Sequence, residues 1–225
     1  MSIQGITEAE IANYLAHTPG FFERHAELLG SIQLTSPHGQ RAVSLQERQM
    51  EMLRERNRGL ELKIVEMIRH GQDNVAIADR LHRWTRTLLL TAEAHELPQT
   101  LVYELKHQFL IPQAALRLWG ADARFAGETF AAEVSADAKS FADSLTLPYC
   151  GLNAGFEATA WLDAPNAVSS TALIPLRHGS REGAFGLLVL GSPDPTRYAA
   201  DMGTEFLVRI GEIASAGLSR LLGPA

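Results

Sequence analysis

The chain has 225 residues, 46% of them hydrophobic, and a formal net charge of -6. That length admits one full domain with extra helices or two small domains, and the acidic balance sets the chain apart from partners of nucleic acid or anionic membrane, which need a positive field. The single cysteine, Cys150, excludes an intramolecular disulfide and any multi-cysteine metal site.

Met1 to Glu10 carries no basic segment followed by an apolar run, so no secretory leader is expected. No apolar stretch approaches the ~20 residues of a spanning helix. A soluble, cytoplasmic protein without a membrane partner follows as the expectation. Nucleic acid is not expected as a partner either.

The first forty residues predict two short helices. Thr7 and Glu10 form a capping box, and Ile11, Tyr14 and Leu15 then share a face. Thr18-Pro19 predicts a cap followed by proline at the first helical position, ahead of Phe21, Phe22, Leu28 and Leu29. Helices this short need something to pack on, either the long helix that follows or a partner chain. Ser36-Pro37-His38-Gly39 predicts a turn.

From Ser44 to about Ala92 the sequence predicts one long helix, or two end to end, because no proline falls between Pro37 and Pro98. A second capping box, Ser44 with Glu47, marks its start. Leu53, Leu60, Met67, Leu81 and Leu88 fall on one heptad line with Asn74, called d. Met50, Asn57, Ile64, Gly71, Ala78 and Thr85 form the matching a line. A strong d line beside a mixed a line predicts an imperfect coiled coil, with Leu53, Asn57, Leu60, Ile64 and Met67 as its dimer interface and Asn57 setting the register. The charges of the first half, among them Arg54, Arg56 and Arg58, are interleaved with acids and read as a solvated face. Gly71 is the weakest point and a candidate break. Beyond it the apolar face widens through Val75, Ile77, Ala78, Leu81, Trp84 and Leu88, as for a helix that also packs on a domain.

After Leu97-Pro98 comes an amphipathic helix over 99–109, then a short strand over 115–119. Ser135 caps a helix running to about Leu145, and Leu147 to Gly151 ends it. Strands are predicted over 170–176 and 184–190, joined by a polar turn over 177–183 into an antiparallel hairpin. A last helix spans 204–222. Too few crossovers exist for a doubly wound sheet, so the fold class is α+β: N-terminal helices, a coiled-coil-like helix, and an antiparallel sheet flanked by helices. The expected divisions are 1–43, 44–92 and 93–225.

Three parts of the last third, Thr171 to Leu176, Gly183 to Leu190, and the acidic, proline-bearing loop leading into the C-terminal helix, resemble a GAF domain. A wider set of segments is similar to a bacterial family, domain of unknown function 484. These are Asn13-Tyr14-Leu15, Thr18 to Phe22, Ala42 to Gln49, Gly191 to Asp194 and Asp201 to Leu207. The resemblance implies a helical region, a long helix and a GAF-like domain, dimeric as a whole. It brings no reaction, ligand or catalytic residue with it.

No catalytic constellation is found. Cys150 would need a lowered pKa and a base to act as a nucleophile. The eight histidines are scattered, without HExxH or a pairing to cysteine. GxGxxG and the Walker sequence are absent, as are the residues that bind cyclic nucleotides in GAF domains. The GAF resemblance implies a small-molecule cleft between the sheet and its covering loops, which Arg117, Tyr149, Cys150, Phe156, Trp161, Ser170 and Arg177 could line. In that case Trp161 and Tyr149 supply apolar walls and Arg117 holds an anion. On the competing reading Trp161 and Tyr149 are ordinary core and Arg117 is a surface charge. No cofactor is required by the sequence. The expected function is that of a non-enzymatic, homodimeric sensor or regulatory module with a possible small-molecule ligand and an effector protein on another chain. The alternative is an interaction adaptor without a ligand, docking a partner through Tyr14, Phe21 and Phe22.

Overall fold

The computed structural model describes residues 6–31, 45–179, 183–200 and 203–223. The Ser44–Glu47 capping box and the turn at Ser36 to Gly39 lie outside them, as does the middle of the turn at 177–183. The chain divides into two compact units, Met1–Lys63 and Ile64–Ala225.

In the N-terminal unit, α1 (Glu8–His17) begins at the predicted box: the Thr7 N–H donates to Glu10 Oε2 at 2.7 Å, and the Glu10 N–H donates to Thr7 Oγ1 at 3.3 Å. The bonds from Thr7 hold the Glu10 carboxyl below the usual carboxylate range. Thr18 does not cap the next helix through its hydroxyl. Its carbonyl accepts from the Phe21 N–H at 2.9 Å, and Gly20 stands at the N-cap of α2 (Phe21–Arg24). The chain breaks at His25 before α3 (Ala26–Ser31), so the expected second helix is two short ones. Neither α1 nor α2 buries a residue.

The long helix is one helix, α4 (Leu45–Leu90), and Gly71 does not break it. A glycine costs about 1 kcal/mol in a helix interior, which the ladder of a helix this long absorbs. The end of α4 belongs to the core of the C-terminal unit. Trp84 is fully buried and its indole N–H donates to the Leu101 carbonyl at 3.3 Å, while Leu88 packs beside it.

That unit is built on a four-stranded antiparallel sheet, β1 (Gln113–Leu118), β2 (Tyr149–Leu152), β3 (Ser170–Arg177) and β4 (Ala184–Ser192), in the order β1-β4-β3-β2. The predicted hairpin is present, with Leu173 opposite Val189 and Ile174 opposite Leu188. β2 was not expected as a strand. Leu147 to Gly151 is expected to end a helix, but Tyr149 to Leu152 pair with Leu173 to Ser170 on β3. A proline before it and a Cys-Gly pair within it give β2 no branched residues to announce a strand.

Side chains alternate between the two faces of the sheet. One face, with Leu116, Cys150, Ile174 and Leu188, is covered by α4, by α5 (Leu97–Phe109) through Leu101 and Leu105, and by α7 (Glu205–Leu218) through Ile210 and Leu218. The opposite face, with Leu173, Leu187 and Val189, is covered by α6 (Ala136–Ser144) and the irregular segment that carries Ala158, Leu162 and Val168. This is the predicted α+β class, an antiparallel sheet flanked by helices.

Candidate functional site

The seven candidate cleft residues do not converge. Tyr149, Arg117 and Trp161 lie on the α6 side. Tyr149 packs edge-on against Phe156 at 5.1 Å between ring centroids, and Phe156 meets Phe141 of α6 at 5.3 Å. Arg117 sits over Trp161 at 5.8 Å and donates to the Thr129 carbonyl. Partial burial pulls its pKa below the ordinary guanidinium value. These two groups occupy opposite edges of the sheet, since β1 and β2 are separated by two strands, about 14 Å at ordinary strand spacing. Between them the face is filled by Leu173, Leu187, Val189, Ala158 and Leu162.

Cys150 and Ser170 belong to the other face. Cys150 is on a strand, not a loop: it stands opposite Ala172, is 8% exposed, and its thiol pKa is pushed up by burial. A thiol held protonated is a poor nucleophile. Ser170 is buried and donates to the Asp194 carbonyl at 2.6 Å.

Arg177 stands apart at the end of β3. Its Nη2 donates to the carbonyls of Ala142, Asp143 and Leu145 at 3.3, 2.7 and 3.0 Å, closing the C-terminus of α6 with a positive charge where the helix dipole favours one. Asp143 returns the contact, accepting from the Ala184 N–H at 2.6 Å. Gly183 permits this. Its φ is +77°, and a Cβ there would lie 2.8 Å from Asp143 Oδ1. The two strands of the hairpin are thus clamped to the end of α6. Arg177→Met is expected to lower the stability of the C-terminal unit by about 1 kcal/mol in chemical denaturation, with Arg177→Lys recovering part of it.

A cavity of about 620 Å³ lies elsewhere: a groove between the end of β3 and α7. Pro148, Ile174, Pro175, Val208, Gly211 and Ser215 line it, and Arg177 is the one cleft candidate at its rim. Sequence reasoning missed Gly211 and Ser215. Their four-residue spacing on a helix was the available signal, but only the approach of Ile174, whose Cγ2 would lie 2.8 Å from a Cβ on Gly211, shows what that spacing serves.

Among the described residues no three His, Cys, Asp or Glu side chains gather where they could hold a metal, and no helix is long and apolar enough to cross a membrane.

On α4 the predicted interface residues lie in the open. Leu53, Leu60, Ile64 and Met67 are 57%, 49%, 50% and 67% exposed, and Asn57 is exposed between them. At 100° per residue, Ile64, Met67, Gly71 and Val75 share one side of the helix, about 120° round from Trp84 and Leu88. The heptad line is therefore open only in its first part: Leu53, Leu60 and Met67 are exposed, whereas Leu81 and Leu88 farther along it pack into the core with Trp84.

The class is an α+β domain of one small antiparallel sheet under helices, joined to a long helix, as the resemblance to a GAF domain implies. The family described as protein of unknown function, DUF484, matches residues 1–222, and the chain belongs to it. No curated protein matches the chain. Among solved structures it is similar to the A. aeolicus nlh2 GAF domain in an inactive state, at 8% identity, covering 65% of this chain and 98% of that one, with a TM-score of 0.49. It is also similar to the GAF domain of an Acinetobacter phosphoenolpyruvate-protein phosphotransferase, at 14% identity, 64% and 92% coverage and a TM-score of 0.44. A third is free methionine-R-sulfoxide reductase from Neisseria meningitidis in complex with its substrate, at 13% identity, 64% and 88% coverage and a TM-score of 0.42. With these scores below 0.5, nothing about ligand or activity passes from them to this chain.

Proposed function

We propose that this chain is a homodimeric, GAF-like regulatory module of the cytoplasm. Residues 1–43 form its helical head, 44–92 its dimerising helix and 93–225 the domain that meets a small molecule or an effector protein. No catalytic residue and no cofactor are assigned. The observation that carries the reading is the apolar line Leu53, Leu60, Ile64 and Met67, each about half exposed or more, with no cover from the other described residues. Exposed apolar surface of this extent marks an interaction site, and a heptad spacing fits a second helix of the same kind.

The adaptor reading is kept for a specific reason. The sheet face that would form a GAF-type cleft is filled by its own side chains, with the Phe156 ring against both Phe141 and Tyr149 at its edge. A regulatory module without a ligand would act through protein contacts alone, the Tyr14–Phe21–Phe22 ring cluster of the N-terminal unit being one such surface.

Native mass spectrometry of the purified full chain, repeated under denaturing conditions, tests both. A dimer with an added mass that disappears on denaturation supports a ligand-binding regulator. A dimer of bare chains supports the adaptor. A monomer at high micromolar concentration overturns the dimer in either form.

A further inference from the structure

We infer that the second copy lies parallel and in register along α4, with Asn57 opposite its own counterpart and Arg56 of each chain opposite Glu61 of the other. The inference rests on the dimer reading above and says what that reading leaves open, the direction of the partner helix.

In the heptad frame set by Leu53 and Leu60, the positions flanking the apolar line on one side are Gln49, Arg56, Lys63 and His70, and on the other Arg54, Glu61, Ile68 and Val75. A parallel pair brings each residue of the first set against the residue five positions later in the partner. That contact sets Arg56 against Glu61 twice, once on each side of the pair. Both side chains are exposed, and neither has an ion-pair partner within its own chain among the described residues.

An antiparallel pair brings the first set against itself. It holds no acid, so Arg56 and Lys63 find no opposite charge there. The antiparallel alignment that matches Arg54 with Glu61 also sets Arg56 against Lys63 and buries Asn57 against Leu60. A carboxamide facing an isobutyl group loses its water hydrogen bonds and gains none. In the parallel register the two Asn57 amides face each other, and each can donate to the other's carbonyl. Charge and amide pairing thus select the same direction and the same register.

Disulfide trapping tests this on the full chain. Met50 and Ile64 both lie on the a line, fourteen residues apart, and their substitution leaves Asn57, Arg56 and Glu61 untouched. Met50→Cys and Ile64→Cys are made separately and oxidised mildly, with the unsubstituted chain, whose only thiol is the buried Cys150, as control. Both variants are expected to give a covalent dimer. An antiparallel pair centred on one of these sites holds the two copies of the other about 42 Å apart, so it traps one at most. Trapping of one or neither, with a native mass that stays dimeric, overturns the parallel register and leaves the dimer standing. A monomeric native mass overturns the dimer itself.

Charge exchange gives a second readout. Arg56→Glu is expected to raise the dimer dissociation constant about fivefold, and Arg56→Glu with Glu61→Arg to return it to within about twofold. If the single variant weakens the dimer and the double variant weakens it further, the Arg56–Glu61 pairing is wrong.

Discussion

Trp84→Ala is expected to destabilise the C-terminal unit by about 3–5 kcal/mol, the range for removing a large aromatic side chain from a core that cannot close around the space. Trp84 is fully buried, touches the cluster formed by α5, α7 and the sheet, and anchors its indole N–H on the Leu101 carbonyl. Losing it leaves that carbonyl with one partner fewer and detaches the end of α4 from α5. Guanidinium denaturation of the full chain, followed by tryptophan fluorescence from Trp119 and Trp161, measures the change. Trp84→Phe keeps most of the volume and loses the N–H, so it should cost less than half as much. A loss below about 1 kcal/mol for Trp84→Ala would mean that α4 is not held to the sheet as described.

The double variant Leu53→Glu, Leu60→Glu is expected to abolish dimerisation at micromolar concentration. Each leucine of a paired coiled coil contributes on the order of 1.5–3 kcal/mol by leaving water, and a dimer loses four of them. Two added carboxylates per chain then face two more. Sedimentation velocity over a concentration series measures the association. Helical circular dichroism should fall with it, because the exposed turns of α4 lose the packing that holds a helix in water. Denaturation of the C-terminal unit should move by less than about 0.5 kcal/mol, since neither leucine belongs to its core. If the double variant dimerises with unchanged affinity, the interface is elsewhere.

These two side chains show how far the sequence could be read. Leu53 and Trp84 are both apolar residues on one uninterrupted helical pattern. Spacing placed them on the helix. It did not say that one would be fully buried and the other more than half exposed, because burial depends on where the sheet meets the helix. The heptad line was legible since a period of seven needs no knowledge of the fold, and the hairpin since its strands are apolar runs bounded by glycine and polar residues. β2 was not legible. Tyr149 to Leu152 becomes a strand by pairing with β3, a contact with residues some twenty positions away.

The cleft candidates fared differently for the same reason. Tyr149 and Cys150 are neighbours in sequence, yet the period of two in a strand sends them to opposite faces of the sheet. Arg117 and Tyr149 do share a face, and the strand order separates them. Arg177, named for a cleft, is occupied by three carbonyls at the end of α6.

By itself the sequence determined the family, the α+β class, the long helix and the heptad face on it. The family is carried by segments along the chain that resemble it, and the class, the long helix and the heptad face by short-range period, where neighbours in the chain are neighbours in space. Only the tertiary structure decided which face of α4 the sheet covers, that aliphatic side chains fill the sheet face between the expected cleft residues, and that a groove opens between β3 and α7. Those outcomes depend on strand order and on contacts between residues far apart in the chain, which local spacing does not encode.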